Sequence, residues 1–309
     1  MLQLAHTYSI VALDAAAGQL GVAVQSHYFG VGVTVPWLEA GVGAVATQSF
    51  VEPAYGPLGL TLMKAGKTAP QALAGLLAAD PQQDRRQVVM VDMHGNVAVH
   101  TGARCIAAAG HRTGEGYAVQ ANLMLRATVW DAMAEAYDQT RGDLATRLLA
   151  ALDAAEAEGG DIRGRQSAAL VVINAAPTGQ PWKDRVFDLR VDDHPEPLHE
   201  LRRLLTVRRA YADWNAAEAL LANNEIDDEA ITAAAVARFA VAPDLLPDNP
   251  EGAFWFGCAL VNAGQVETAL PYFRRVYTAQ PVWRELVPRL AEAGLLPQED
   301  GVLRRLVEL

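Results

Sequence analysis

The sequence predicts an α+β fold, a four-layer αββα sandwich of two facing β-sheets with helices outside, followed by a C-terminal α-helical hairpin appendage. Three observations predict it. Apolar runs of strand type alternate with pairs of helical segments, which gives two sheets that are each covered by one helical pair. The strand runs are almost wholly apolar, so both faces of each sheet should be covered. Beyond residue 197 only helical patterns remain.

The chain begins with two predicted hairpins. Asp14 and Gly18 separate the first two apolar runs, and such residues between runs of about six favour a hairpin. The four strands are expected at Tyr8–Leu13, Leu20–Gln25, Val31–Pro36 and Val42–Thr47. Thr7 would then stand at the start of a buried strand.

Two helical pairs and five further strands follow. Pro57 suits the first position of a helix that Gly66 ends, and Thr68 is a suitable N-cap for the next helix, which has apolar residues at helical spacing. The second pair of helices is predicted at Val129–Tyr137 and Gly142–Glu158. The strands are predicted at Arg86–Asp92, 97–102, Gly116–Ala121, Ser167–Asn174 and Arg185–Val191.

A polar segment with two prolines, 192–197, is the predicted boundary between a domain of residues 1–197 and a helical domain of residues 198–309. Within the second domain, Pro250–Pro281 has small, apolar and proline residues spaced as in a tetratricopeptide repeat, and a degenerate helical pair is expected at 210–239. The spaced residues are Gly257, Leu260, Gly264, Ala269, Phe273 and Pro281. One good repeat exposes apolar faces, so we expect the first domain or a second chain to cover them, and we favour a homo-oligomer.

Composition excludes several classes of protein. The net charge is −11 and no basic run occurs, so nucleic acid is not an expected partner. No stretch is long and apolar enough to span a membrane, no signal peptide is evident, and two cysteines cannot make a disulfide framework. We expect a cytoplasmic protein. The His, Cys and Asp residues lack metal-ligand spacing and the glycine runs lie inside strands, so neither a metal nor a cofactor is expected.

Thr7 is the first candidate for chemistry. A threonine at a chain terminus can use its own α-amino group as the general base for its hydroxyl, so no partner histidine is required. Six residues precede Thr7, and its amine is free only after they are removed. Ser9 shares a face with Thr7 on a regular strand and is a rival nucleophile or a support. The alternative is that Thr7 is an ordinary strand-forming residue.

Polar residues at the ends of other strands are the remaining candidates. Backbone N–H groups at Thr47 and Gln48, where the second hairpin ends, could form an oxyanion hole together with Asn122. Asp161 and Ser167 could support the amine, or Asp161 could simply pair with Arg163. The residues predicted to bind substrate are Gln25, Ser26, His100, Arg163 and Gln166.

Several phrases resemble domain-of-unknown-function family 1028, a group placed among the N-terminal nucleophile (Ntn) hydrolases. They are TYSIVALD (7–14), GQLGVAVQS (18–26), VPWLEAGVGAVATQ (35–48), YGPLGL (55–60), RQVVMVDMHGNVAVHTG (86–102), AGHRTGEGYAVQAN (109–122), GGDIRGRQSAALVV (159–172) and DLRVDDHPEPL (188–198). The resemblance implies the αββα fold and an amide-hydrolase site with Thr7 as nucleophile. It departs from proteasome subunits at Gln25, where they carry Asp, and in lacking a lysine in the second hairpin.

Two functions of different class follow from these observations. The first is an Ntn amidohydrolase that acts on a small linear or cyclic amide. The second is a non-catalytic binding protein on the same scaffold, whose helical tail engages a partner. The state of the N-terminus separates them, because only the enzyme needs Thr7 to be the first residue.

Overall fold

The computed structural model describes residues 4–222 and 249–309, together with Ala234 and Ala237. It divides into two compact units, Met1–Leu204 and Leu205–Leu309. The first unit is an α+β structure with two antiparallel sheets, which confirms the predicted class. The second is helical in its described residues.

One sheet has six strands in the order β11-β10-β3-β2-β9-β8, with β2 and β3 at its centre. Its strands are β2 (Thr7–Asp14), β3 (Gln19–Ser26), β8 (Gly110–Gly114), β9 (Tyr117–Ala121), β10 (Ser167–Asn174) and β11 (Arg185–Val191). Thr7 pairs with Ser26 across β2 and β3, so the two side chains share a face of the sheet.

The other sheet runs β1-β5-β6-β7, with β4 also paired to β5. Its strands are β1 (Leu4–Ala5), β4 (Pro36–Glu39), β5 (Gly43–Phe50), β6 (Arg86–Asp92) and β7 (Val97–Thr101). β4 covers the first half of one edge of β5 and β1 covers its end, where Ala5 lies opposite Ser49.

The two sheets face each other across an apolar core. Val11, Val22 and Val24 of the six-stranded sheet belong to the same buried cluster as Ala46 and Val89 of the other sheet. Toward one end of these strands the same face becomes polar. Ser9 and Gln87 come two residues before apolar residues of their strands, and Ser26 and Gln48 come two residues after them. The inter-sheet space therefore changes from an apolar core to a buried polar layer at one end; the polar residues are Thr7, Ser9, Ser26, Gln48, Gln87, Gln120 and Asn122.

A helical pair contacts each sheet. Helices α2 (Tyr55–Lys64) and α3 (Ala69–Ala79) contact the sheet of β5 and β6, and α4 (Val129–Gln139) and α5 (Leu144–Ala157) contact the sheet of β2 and β3. Gly21 allows α5 to lie close to β3, because a Cβ there would come 2.5 Å from Leu148. The expected N-cap is confirmed: Thr68 and Gln71 form a capping box at the start of α3.

Two details differ from the sequence predictions. The predicted strand Val31–Pro36 is wrong, since Val31–Thr34 is a short helix (α1) and the strand begins at Pro36. Gly30 is left-handed, with φ 64°, and the Val31 N–H donates to Ser167 on a distant strand, so a tertiary contact overrides the local preference for strand. β8 was not predicted, because its sequence, GHRTG, has no apolar residue.

The predicted boundary segment is hydrogen-bonded within the first unit. Asp192 O accepts from Gly30 N, and His194 N donates to Gln166 O. A short helix, α6 (Pro181–Asp184), precedes β11. Helix α7 (Pro197–Ala222) begins at the end of the segment, and the division between the compact units falls inside this helix.

The second unit covers its own large apolar side chains. Of the large side chains that prompted this expectation, Phe256, Leu260 and Phe273 are buried in one cluster whose described members all lie beyond residue 205, and Trp255 is partly buried against that cluster. The expectation that another domain or chain must cover them is therefore wrong, and the homo-oligomer stays a prediction without this argument. Beyond α7, the described helices of this unit are Pro250–Asn262, Val266–Ala279, Leu286–Glu292 and Asp300–Val307, with a 3-10 helix at Pro281–Glu285. The first unit has a 3-10 helix at Gln83–Arg85.

The tetratricopeptide-like spacing also stays a prediction. Gly257 lies where a Cβ would come 2.9 Å from the Phe273 ring, so a small residue is needed between these two helices. The predicted pair at 210–239 falls largely outside the described residues. In the part of the chain that the structure describes, none of the helices has the length and apolar character needed to cross a bilayer.

Candidate functional site

Thr7 is fully buried at the start of β2, near the centre of its sheet. Its hydroxyl lies 2.8 Å from Ala5 O and 3.1 Å from Ser26 Oγ, and it can donate to either. Ser26 Oγ in turn donates to His6 O at 2.6 Å. Thr7 therefore does not lie at the open mouth of a cleft, and its hydroxyl is within hydrogen-bond distance of the segment that precedes it.

The carbonyl of His6, the residue just before Thr7, is held by two donors. Besides Ser26 Oγ, the Arg163 guanidinium donates to His6 O from Nη2 at 2.8 Å. A carbonyl oxygen that accepts from a hydroxyl and a cation is polarised, and its carbon becomes a better electrophile. The hydroxyl of Thr7 is the nearest nucleophile along the chain.

Asp161 fixes the position of Arg163. Its side chain is 0% exposed and accepts from Arg163 Nε at 3.0 Å and from Nη2 at 2.7 Å, in the planar paired geometry that suits arginine. The backbone N–H groups of His27 and Arg163 also donate to this carboxylate. The predicted partner of Arg163 is thus confirmed, but its predicted burial is wrong, since 30% of the side chain is exposed.

A network of buried amide side chains lies beside Thr7. Gln48 Nε2 donates to Thr7 O at 3.0 Å and to Gln87 Oε1 at 2.7 Å, and Asn122 Nδ2 donates to the same Gln87 oxygen at 2.9 Å. Gln87 Nε2 is held by Thr101 Oγ1 and by two backbone carbonyls, those of Gly110 and Ala121. Gln87 therefore fixes which way both other amides face.

Ser9 and Gln120 extend the network toward the apolar core. Ser9 Oγ donates to Gln48 Oε1 at 2.7 Å and accepts from Gln120 Nε2 at 3.2 Å. Gln120 Nε2 also donates to Ala46 O at 3.1 Å. The network thus connects β2 and β9 of one sheet to β5 of the other, and its hydrogen bonds fix the polar side chains next to Thr7.

The His6 side chain occupies a pocket between these amides and Phe50. Asn122 Oδ1 lies 2.7 Å from His6 Nδ1, which must carry the proton because Asn122 directs its own donor to Gln87. The Phe50 ring contacts the imidazole edge to face, at 5.5 Å between centroids. Burial lowers the pKa of His6 below its ordinary value, so the imidazole is neutral at pH 7.

The structure brings seven of the predicted site residues together and leaves five elsewhere. Those around Thr7 are Thr7, Ser9, Ser26, Gln48, Asn122, Asp161 and Arg163. Of the others, His100 Nε2 lies against Gln83 O and Gln166 bonds to Asp193. Gln25 pairs with Tyr8 across the strands and so shares the opposite face of the sheet, where Tyr8 Oη donates to Glu156 of α5.

Thr47 and Ser167 have structural partners. The Thr47 N–H, which the sequence offered to an oxyanion, donates to Val35 O, and its hydroxyl donates to Glu52 O. Ser167 Oγ donates to Tyr28 O and accepts from Val31 N, which fastens the turn before α1. Neither side chain is hydrogen-bonded to the Thr7 cluster, so we assign them no part in its chemistry.

Two further residues of this cluster, His6 and Gln87, are not among the site residues predicted from the sequence. His6 precedes the predicted strand and carries no motif. Gln87 had a signal, because it is a polar residue at the start of an apolar strand, on the face that Val89 and Val91 fix as the inner one. Within the described residues no group of three or more His, Cys, Asp or Glu side chains could hold a metal ion.

Comparisons with known proteins identify a family and a similar solved structure. A family model described as "Family of unknown function (DUF1028)" matches residues 7–201. The chain is similar to the crystal structure of protein SPO2555 from Silicibacter pomeroyi, described with the same family model, with 30% identity and a TM-score of 0.60. The match covers 68% of this chain and 93% of that chain. No curated protein matches the chain.

Proposed function

The chain belongs to the DUF1028 family of unknown function, and we propose that it is an amide hydrolase whose nucleophile, Thr7, becomes N-terminal when the chain cuts itself after His6. One observation carries the proposal: the His6 carbonyl is polarised by Ser26 and Arg163, and the Thr7 hydroxyl stands directly after it in the chain. A backbone carbonyl with a purely structural role can be satisfied by neutral donors, so the charged Arg163 donor points to a role for this carbonyl in the chemistry.

The self-cleavage is an N-to-O acyl shift. The Thr7 oxygen attacks the His6 carbonyl carbon through a five-membered ring, while its proton passes to Ser26 Oγ and the Ser26 proton passes to the developing oxyanion. Arg163 stabilises the negative charge that develops on that oxygen before the proton reaches it. The bond from His6 C to Thr7 N then breaks, and the nitrogen takes the proton from the former carbonyl oxygen. The His6 acyl group is then joined to the Thr7 hydroxyl oxygen as an ester. Water hydrolyses this ester and leaves Thr7 with a free amine.

The freed amine is then the base for other amides. It accepts the hydroxyl proton of Thr7 as the oxygen attacks a substrate carbonyl, and it returns a proton to the leaving amine. The resulting ester is hydrolysed by water, activated by the same amine. Ser26 and Arg163 are left to hold the substrate oxygen, and Gln48 and Asn122 to hold the Thr7 backbone carbonyl from the other side.

The proposal takes the first unit for the four-layer αββα sandwich of Ntn hydrolases. It is supported by two facing sheets, a helical pair in contact with each, and a hydroxyl residue at the start of a central strand. A small linear or cyclic amide, as expected from the sequence, is the general substrate class.

The test is the intact mass of the purified full-length chain, followed by N-terminal sequencing. We expect the wild-type chain to lack residues 1–6 and Thr7→Ala to retain them. Thr7→Ser, which keeps a hydroxyl, should cleave as well and serves as the matched control. A wild-type chain that keeps its first six residues after prolonged incubation would refute the proposal and favour the non-catalytic binding protein.

A further inference from the structure

Residues 4–6 occupy the acyl side of the proposed site, and they show what that side is shaped to hold. The argument rests on the proposed function. The ester formed in self-cleavage joins the His6 acyl group to Thr7 Oγ, and a peptide that carries the same acyl residues would form the same ester with the mature enzyme. The contacts of Leu4, Ala5 and His6 are therefore contacts available to a substrate.

The first feature of this acyl side is a strand edge. Among the described residues, β1 pairs with β5 at two positions, Leu4 with Phe50 and Ala5 with Ser49. β4 already covers the same edge between Gly43 and Ala46, so the free length is short. Once residues 1–6 leave, the N–H and C=O groups of this edge can pair with an extended chain of a few residues, as in strand addition.

The second feature is the space for the residue before the scissile position. The Ala5 side chain is completely buried in the inter-sheet cluster that also contains Val51 and Val35. Packing there leaves room for a methyl group, and a larger side chain would have to displace core residues. This position accepts a small apolar residue.

The third feature is the pocket for the residue that supplies the scissile carbonyl. The His6 ring is almost fully buried, donates to Asn122 Oδ1 and meets the Phe50 ring at its edge. Phe50 is held from a further side by the Arg85 guanidinium, 5.3 Å from the ring centroid. Because Asn122 presents only its oxygen, the pocket favours a flat neutral side chain with one hydrogen-bond donor.

We infer that the substrates are short extended peptides, bound as an added strand on β5, with a small apolar residue followed by histidine or a similar flat donor on the acyl side of the scissile bond. This names one class among the linear amides and excludes bulky residues at the Ala5 position.

The test uses the wild-type chain as isolated, with its mass recorded first. Three probes carry a fluorogenic aminocoumarin leaving group: acetyl-Leu-Ala-His, acetyl-Leu-Ala-Leu and acetyl-Leu-Phe-His amides. We expect kcat/KM for the first probe to exceed that for the second about tenfold, because a tenfold ratio corresponds to the free energy of about one neutral hydrogen bond. The third should be cleaved at least about tenfold more slowly than the first, because phenylalanine overfills the Ala5 space.

Binding gives a second measurement that does not need turnover. The free acid acetyl-Leu-Ala-His should bind the mature chain about tenfold more tightly than acetyl-Leu-Ala-Leu by calorimetry, and Phe50→Ala should reduce that ratio. Thr7→Ala, which keeps residues 4–6 in place, should bind neither peptide.

Two failures are distinguishable. A mass that still includes residues 1–6 overturns the proposed function, and this inference with it. A chain that has lost them but binds and cleaves the histidine and leucine peptides equally, or neither, overturns the inference alone.

Discussion

Arg163→Ala is the most informative single change, because this side chain both polarises the His6 carbonyl and pairs with a fully buried carboxylate. The substitution removes the 2.8 Å bond to His6 O and both side-chain bonds to Asp161. Ser26 remains as the only side-chain donor to the carbonyl among the described residues. The change therefore separates an effect on self-cleavage from an effect on stability.

The two effects have different expected sizes. Loss of one donor to a developing oxyanion costs about 10²–10³ in rate, so self-cleavage should slow by that factor. The free energy of unfolding should fall by about 1–3 kcal/mol, because Asp161 keeps two backbone donors and the partly exposed site lets water reach its carboxylate. This is less than the 3–5 kcal/mol expected for breaking a pair that is buried on both sides.

The measurement is a time course of intact mass after expression is induced, combined with urea unfolding of the purified protein. Arg203→Ala is a matched control, since Arg203 forms an ion pair with Glu200 on the exposed side of α7. The control should cleave at the wild-type rate and lose little stability. If Arg163→Ala cleaved as quickly as Arg203→Ala, the assigned role of the guanidinium would be wrong.

Two further predictions concern residues outside the nucleophile itself. Gln87→Leu leaves the side-chain amides of Gln48 and Asn122 without their shared acceptor. We therefore expect the free energy of unfolding in urea to fall by at least about 2 kcal/mol and self-cleavage to be slower in the mass assay. An unchanged cleavage rate would show that the orientation of these amides does not matter for the reaction. Burial raises the pKa of Asp92, but bonds from Ala69 N and the turn at 93–96 outweigh it and hold the pKa below 3.8. This carboxylate therefore stabilises the fold above its unfolded pKa and ceases to do so as pH falls through the lower folded value, and Asp92→Asn should flatten the acid limb of stability measured from pH 5 to pH 2.

Most strands and helices of the first unit could be predicted from local patterns in the sequence. Alternation between apolar runs and helical segments located β2, β3, β6, β10 and β11. The first four are apolar over most of their length because both of their faces are buried, whereas β11 is an edge strand with exposed charged residues. The start of α3 at Thr68 could also be predicted, because helix capping is local: the Thr68 side chain accepts from the N–H of Gln71, only three residues further along the chain.

Part of the candidate site was also within reach of the sequence. Polar residues at the ends of apolar strands were the selected candidates, among them Thr7, Gln48 and Asn122. In an antiparallel sheet, residues at paired strand ends lie side by side when their side chains are on the same face. The same period of two would have found Gln87, which precedes Val89 on the inner face of its strand, and Gln120, which follows Ala118.

Which of the polar residues at strand ends lie together depends on how the strands pair and pack. Ser167 and Thr47 have the same sequence character as Ser26 and Gln48, yet their hydroxyls are used by neighbouring loops. The helix at Val31–Thr34 and the strand at Leu4–Ala5 likewise depend on partners far along the chain. These features depend on pairing between residues far apart in the chain, which a local sequence pattern does not predict. For the same reason the two donors to the His6 carbonyl, Ser26 and Arg163, could be identified only in the folded chain.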